Sequence, residues 1–236
     1  ALPPNGGRSG YDVRMSVTEF RSALPADGGV SSTVQSIFER ILATIHDGGL
    51  RPGTIVRDVD IARELGLSRT PVREAFQMLR EAGVLEVSAS RFTRIAILTP
   101  EQTEQAGRAW SPLFRAVMDE LVSRGTPIDP EVLDVMEAAH ADAVAGVLAF
   151  DNPRVAAANS RLYDAAVHLS ENPFVIKAID SVVHALRLGM MSLPSSIDLA
   201  LLLRAQRMTI DAIREQDSSI VDELFLTLGN ISFPKD

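Results

Sequence analysis

Arg69, Arg73, Gln77 and Arg80 recur at i, i+4, i+8 and i+11, while Val72, Ala75, Phe76 and Leu79 hold the apolar positions between them. At 3.6 residues per turn the two sets form two faces of one helix. The guanidinium is a planar, permanently charged fork, so arginines on such a face suit bidentate contact with guanine O6 and N7 or with phosphate. A solvated helix surface carries the same stripe, and only its context separates the two. Leu85-Glu86-Val87-Ser88 and Thr93-Arg94-Ile95-Ala96-Ile97 alternate with period 2 around Ala89-Ser90-Arg91, which predicts a β-hairpin with Arg91 at its tip and Arg94 on its second strand. A hairpin directly after a helix-turn-helix forms a wing, and its arginines can reach an adjacent groove or backbone.

Other chemistry has little to work with. His-Glu-x-x-His, a P-loop, a Gly-x-Ser-x-Gly elbow and a dinucleotide fingerprint are all missing, and without cysteine there is neither a thiolate metal site nor a cysteine nucleophile. Asp164 and His168 stand four apart with His184 farther on, a pattern that fits a metal site or an acid–base pair. His46 and His140 have no such neighbours and read as ordinary surface or core histidines. No enzyme activity is expected.

These residues sit in a chain of 236, 46% hydrophobic, with 15 Gly and 13 Pro, which fits one large globular domain or two modest ones. The formal net charge of −8 is unevenly spread: residues 1–30 carry none, 31–99 carry +1 from nine arginines and eight acids, and 100–236 carry −9. Contact with phosphate is therefore expected before residue 100. The longest aliphatic run, Leu199 to Leu203, is far short of the roughly 18 to 20 residues of a membrane helix, and no basic segment followed by an apolar one opens the chain. A soluble, cytoplasmic protein without membrane contact is expected.

Three segments follow. Residues 1–30 mix Pro and Gly without a period and read as an arm. In residues 31–98, Val34, Ile37, Phe38, Ile41, Leu42 and Ile45 mark a first helix opened by a Ser32/Gln35 capping box. A short helix capped by Asp58 and closed by Gly66 comes next, then one capped by Ser68 and closed by Gly83, then the hairpin. Residues 99–236 show no strand signal. Thr99-Pro100, Asp129-Pro130, Asn152-Pro153 and Asn172-Pro173 open helices, and further helices span 198–216 and 218–228, with Pro112 a kink in the first. The fold class expected is mainly α: an N-terminal winged helix-turn-helix plus an all-helical C-terminal bundle.

Leu50-Arg51-Pro52-Gly53, the run Asp60-Ile61-Ala62-Arg63-Glu64-Leu65-Gly66-Leu67-Ser68-Arg69-Thr70-Pro71-Val72-Arg73-Glu74-Ala75, and Leu79-Arg80-Glu81-Ala82-Gly83-Val84-Leu85 resemble the winged helix of the GntR family of bacterial transcription regulators over residues 31–97. The resemblance implies DNA contacts from Ser68, Arg69, Thr70 and Arg73, with Arg57 and the wing tip assisting. Val59 stands where relatives often have a basic or polar residue, and Ser90 where a wing-tip glycine is usual.

Residues 100–230 are similar to the FCD effector-binding domain of the FadR-like branch of that family. Such domains typically hold a metal through an Asp and a His one helical turn apart, ahead of an Asn-Pro, with two further His. Counting back from Asn172-Pro173 puts Asn159 and Tyr163 at the first pair, and counting from Asp217 puts Gln206 at the third position and Leu228 at the fourth. A neutral set without imidazole is a poor host for Zn²⁺, Ni²⁺ or Mn²⁺, so no metal and no cofactor are expected. Arg108 matches an arginine of relatives. With Asn159, Tyr163 and Gln206 it is expected to line a cavity for a small-molecule effector, either a carboxylic acid or a neutral polar ligand. The whole reads as a homodimeric, metabolite-responsive repressor on a near-palindromic double-stranded DNA operator. The alternatives are a constitutive DNA-binding dimer whose cavity has filled in, or a metal-dependent enzyme in the helical half.

Overall fold

The computed structural model describes residues 30–46, 49–87, 92–192 and 198–231. Helix α1 (Val30–His46) buries the predicted stripe, with Ile37 and Ile45 almost fully enclosed. It begins upstream of Ser32, which is therefore a helical residue and not the cap, and the Gln35 amide donates to Glu39 one turn on. Helix α2 (Asp58–Leu65) takes Arg57 as its N-cap residue, and Asp58 is the first helical residue rather than the cap. Gly66, at φ 64°, ends it in the left-handed conformation that glycine adopts without steric cost. Helix α3 (Arg69–Glu81) has Ser68 at the N-cap position, but the Ser68 hydroxyl makes no capping hydrogen bond.

The hairpin forms from β2 (Leu85–Val87) and β3 (Thr93–Ile95), with Leu85 opposite Ile95 and Glu86 opposite Arg94. Its tip, including Ser90 and Arg91, lies outside the described residues. A strand not expected from sequence, β1 (Ile55–Val56), pairs antiparallel with β3 and completes a sheet of order β1-β3-β2. Two residues are too few to show a period. Ile37, Ile45, Val72, Leu79 and Ile95 meet in one apolar core, each contributing about 1.5–3 kcal/mol by leaving water.

The remaining helices are α4 (Pro100–Ser123), α5 (Pro130–Leu148), α6 (Asn152–Val167), α7 (Pro173–Ser192), α8 (Leu199–Glu215) and α9 (Ser218–Gly229). Thr99 forms a complete capping box with Gln102, and Asp129 and Asn172 cap as expected. Asp151 rather than Asn152 caps α6, accepting from the Arg154 N–H. Helix α4 continues through Pro112 for 24 residues. The second core gathers Phe114, Met118, Leu121, Met136, Leu162 and Ile210.

Glu137 on α5 accepts a two-pronged ion pair from Arg207 on α8, and Arg214 joins it. The Arg207 and then the Arg214 hydrogen bonds hold its carboxyl down at about 2. A depressed carboxylate stabilises the fold above its ordinary range and loses that stabilisation as pH falls toward the folded value. Glu137→Gln is expected to narrow the stability difference between pH 5 and pH 2.5 in urea titrations. Retention of the full wild-type difference would remove Glu137 from the account of acid sensitivity.

The two cores share a helix. Leu188 of α7 is buried in the N-terminal core with Met191 packed against it, and the His184 ring stands edge-on to Phe38 of α1 at 6.3 Å between centroids. Burial first, then the Arg187 charge, pushes the His184 imidazole down to about 4, opposed by Asp180. The neutral ring is thus the folded form, and protonation of the unfolded chain removes stability as pH falls from about 6.5 to about 4. Melts across that window are expected to lose up to about 3 kcal/mol that His184→Gln retains. Equal slopes in both proteins would mean that His184 is not the group responsible.

Candidate functional site

The exposed face of α3 carries Arg69, Thr70, Arg73, Gln77 and Arg80, while Val72, Ala75, Phe76 and Leu79 are buried on the opposite face. Beside it runs a polar groove of about 770 Å³, walled by Arg57 and Asp58, by Thr70, Arg73, Gln77 and Arg80, and on the far side by Phe92 and Thr93. The backbone around Val56 and Arg57 and strand β3 therefore bring the α2 entry, α3 and the wing to one concave surface. Arg69 is tied by a 2.9 Å ion pair to Asp58, whose carboxyl is lowered chiefly by that hydrogen bond. The pair fixes the first turn of α3 against α2. Arg73 makes no ion pair among the described residues and is exposed in the groove.

Of the remaining residues predicted for this surface, Arg57 and Ser68 are exposed at the entries of α2 and α3. Arg94 is committed to Glu86 directly across the sheet at 2.6 Å, where it sets the register of the wing. Arg91 lies outside the described residues. Asp58 is expected from sequence only as a helix cap, and Phe92 and Thr93 come to the groove only because strand pairing carries the wing there.

In the helical half, a cavity of about 420 Å³ opens between α4, α6, α7 and α9. Its wall is mostly apolar, with Trp110, Tyr163, Ile179, Leu186, Met190 and Leu228 in it. Trp110 stacks on Phe114 at 4.6 Å, and the Tyr163 ring meets both edge-on. The expected Arg108, Asn159 and Tyr163 line the cavity. Gln206 does not. It is fully buried behind Asn159, donating from Nε2 to Asn159 Oδ1 at 2.9 Å while its own Oε1 faces His140 Nδ1 at 3.0 Å. Arg108 pairs with Glu104 one turn away, and Arg187 pairs with Asp164 across the α6–α7 contact.

The competing histidine register dissolves for a geometric reason. The His168 Nδ1 faces the backbone carbonyl of Asp164, the Asp164 carboxylate turns to Arg187, and His184 faces α1. Among the described residues no three His, Cys, Asp or Glu side chains gather as metal ligands. No described helix is long and apolar enough to cross a membrane.

Comparison with known proteins agrees with both halves of this architecture. Residues 33–95 match the model of bacterial regulatory proteins of the gntR family, and residues 113–227 match the FCD domain. An HTH-type transcriptional regulator from the TAR-I ttuE-ttuC' intergenic region of Agrobacterium vitis is 30% identical over 164 residues, covering 68% of this chain and 96% of that protein. The chain belongs to the GntR family. A second relative, named a probable D-xylose utilization operon transcriptional repressor of Paenarthrobacter nicotinovorans, is 26% identical over 192 residues and covers 81% of this chain and 83% of its own. The fold matches E. coli McbR/YncC with a TM-score of 0.66 at 18% identity, over 83% of this chain and 92% of that one. This GntR protein is a DNA-binding transcription regulator with an FCD domain, and not an enzyme.

FCD relatives commonly hold a metal, and the donors here do not fit one. Asn159 and Gln206 direct their amides at each other, Leu228 has no donor atom, and burial pushes the Tyr163 phenol up, away from the phenolate a metal would need. The Thr209 hydroxyl, which itself donates to the Ala205 carbonyl, opposes that shift, and among the described residues the Tyr163 hydroxyl has no partner of hydrogen-bonding geometry. Glu104, Trp110, Met190 and Arg187 belong to the cavity without a sequence signal. His140 lies outside it and supports Asn159 from behind through Gln206, 66 residues away in the chain.

Proposed function

We propose that this GntR regulator is a metabolite-responsive repressor that binds a near-palindromic operator as a homodimer in the cytoplasm. The observation that carries the reading is Arg73, exposed in a polar groove beside the wing without an ion pair among the described residues and flanked by Thr70, Gln77 and Arg80. Arg73 and Arg69 reach base edges, while Ser68, Thr70, Arg57, Arg91 and Arg94 hold backbone phosphates or the wing in register. One recognition helix covers only a half-site. A two-fold dimer supplies the second, about one helical turn or 10 bp away. Repression is supported by the name of the Paenarthrobacter relative.

The effector reaches the DNA-binding half through α7. Leu186, Arg187 and Met190 of that helix line the cavity, while Leu188 packs in the winged-helix core. A ligand that favours one position of α7 thereby favours one arrangement of the winged helix, and only such a differential affinity regulates. The test is selection of genomic fragments by the purified protein, followed by footprinting at two salt concentrations. Two protected half-sites with affinity falling steeply in salt are expected. Binding without sequence preference, or a single protected half-site at saturation, would overturn the proposal.

A further inference from the structure

The α4/α6/α7/α9 cavity identifies its ligand by charge. Both cations in its wall are already neutralised by carboxylates that also line it: Arg108 by Glu104, and Arg187 by Asp164. The Arg187 side chain is only 12% exposed, so a carboxylate guest would have to displace Asp164 or sit in an apolar wall beside it. In the first arrangement the guest competes with Asp164 for the one guanidinium, and in the second it lies in an apolar wall beside a like charge, which disfavours its charged form.

Of the uncharged polar groups in the cavity wall, which include the buried Tyr163 hydroxyl, the Asn159 amide is the one whose direction is set by hydrogen bonds from behind. Its Oδ1 is held by Gln206, and Gln206 is held in turn by His140, so the chain of hydrogen bonds turns Asn159 Nδ2 toward Met190 of the cavity wall. Its partner there is the Met190 sulfur at 3.8 Å, a weak acceptor. An N–H oriented by buried neighbours and engaged only by a thioether is placed to donate to something better.

We propose that the cavity takes an uncharged, largely apolar molecule carrying one carbonyl-type oxygen, which displaces the Met190 sulfur and accepts from Asn159 Nδ2. This rests on the reading of the cavity as the effector site and narrows it from carboxylic acids to their neutral counterparts such as esters, amides, lactones and ketones. The size agrees, since cavities of about 300–1,000 Å³ hold ligands of this class. The fixed N–H supplies orientation, and the apolar wall supplies the affinity.

Trp110 lies in the wall and is the single tryptophan of the chain, so its emission reports on this cavity alone. The full-length protein is titrated with methyl octanoate and octanamide, and with octanoate as the charged isostere. The neutral pair is expected to shift Trp110 emission and raise Tm, with a Kd at least about tenfold below that of octanoate. Asn159→Asp, of the same shape, is expected to weaken the neutral probes by about tenfold or more. The ester-to-acid ratio in the wild type carries the test even if that variant folds poorly. Octanoate binding as tightly as the neutral probes would overturn the inference, most directly if Arg187→Gln or Arg108→Ala abolished it. Silence of Trp110 and Tm to all three probes would overturn it as well. Specific operator binding by the same preparation, measured without probe, tells failure of this inference from failure of the regulator reading.

Discussion

Arg73→Ala is expected to weaken binding to the selected operator roughly 10- to 100-fold while weakening binding to unrelated duplex far less. The expectation rests on where Arg73 sits rather than on its charge alone. Its neighbour Arg69 is held by Asp58, so part of that side chain's role is to lock α3 against α2, and Arg69→Ala mixes a stability loss with a contact loss. Arg73 is exposed in the polar groove and makes no ion pair among the described residues, so its truncation leaves no buried partner behind. Tm should therefore hardly move. A bidentate contact with a base is worth about 1–3 kcal/mol of discrimination, whereas a phosphate contact lowers every sequence alike and flattens the salt dependence. Anisotropy titrations of operator and scrambled duplex at two salt concentrations separate the cases. An equal loss on both duplexes would reassign Arg73 to the backbone, and no loss on either would remove α3 from the interface.

Gly189→Ala is expected to lower Tm by about 5–10 °C, from an overpacking cost of about 1–3 kcal/mol or somewhat more. A methyl group at that position would fall on the hydroxyl and methyl of Thr103, with Thr103 Cβ itself only 2.7 Å away. Thr103 cannot step aside. It is fully buried, its β-branched side chain has few rotamers, and its hydroxyl donates to the Thr99 carbonyl at 2.9 Å. Helices α4 and α7 must separate instead, and α7 also carries Leu188 into the winged-helix core, so both halves feel the displacement. Thr103→Ala removes the two nearest obstructing atoms and should recover part of the loss in the double variant. The non-additivity of that cycle is the measurement. Additive effects, or a Gly189→Ala protein as stable as the wild type, would mean that the helices accommodate a side chain at this crossing.

Much of the architecture was legible in the residue pattern because it depends on neighbours within a turn or two. Asp198 and Gln216 bracket α8, and Thr99 with Gln102 opens α4, because a helix end is satisfied by the few residues next to it. The boundaries that moved, from Ser32 to an earlier start, from Asp58 to Arg57 and from Asn152 to Asp151, each moved by a few residues at most, and Asp151 gained the helix a side-chain acceptor. The faces of α3 followed from a 3.6 period alone, and its place in a DNA-binding winged helix followed from the long Asp60–Ala75 run.

Tertiary structure decided what depends on residues distant in the chain. Ile55 and Val56 form a strand only because β3 offers its edge, and Arg94 becomes a register pin because pairing sets Glu86 opposite it. Gln206 withdraws from the cavity wall because His140, 66 positions earlier, and Asn159 are brought to either side of it. The neutrality of the cavity arises in the same way. Asp164 and Arg187 are 23 residues apart on separate helices, and only the packing of α6 on α7 lets one cancel the other. Local preference is additive along the chain and can be read from it. The partner a buried charge finds is a property of the packed whole, since both partners must leave water together.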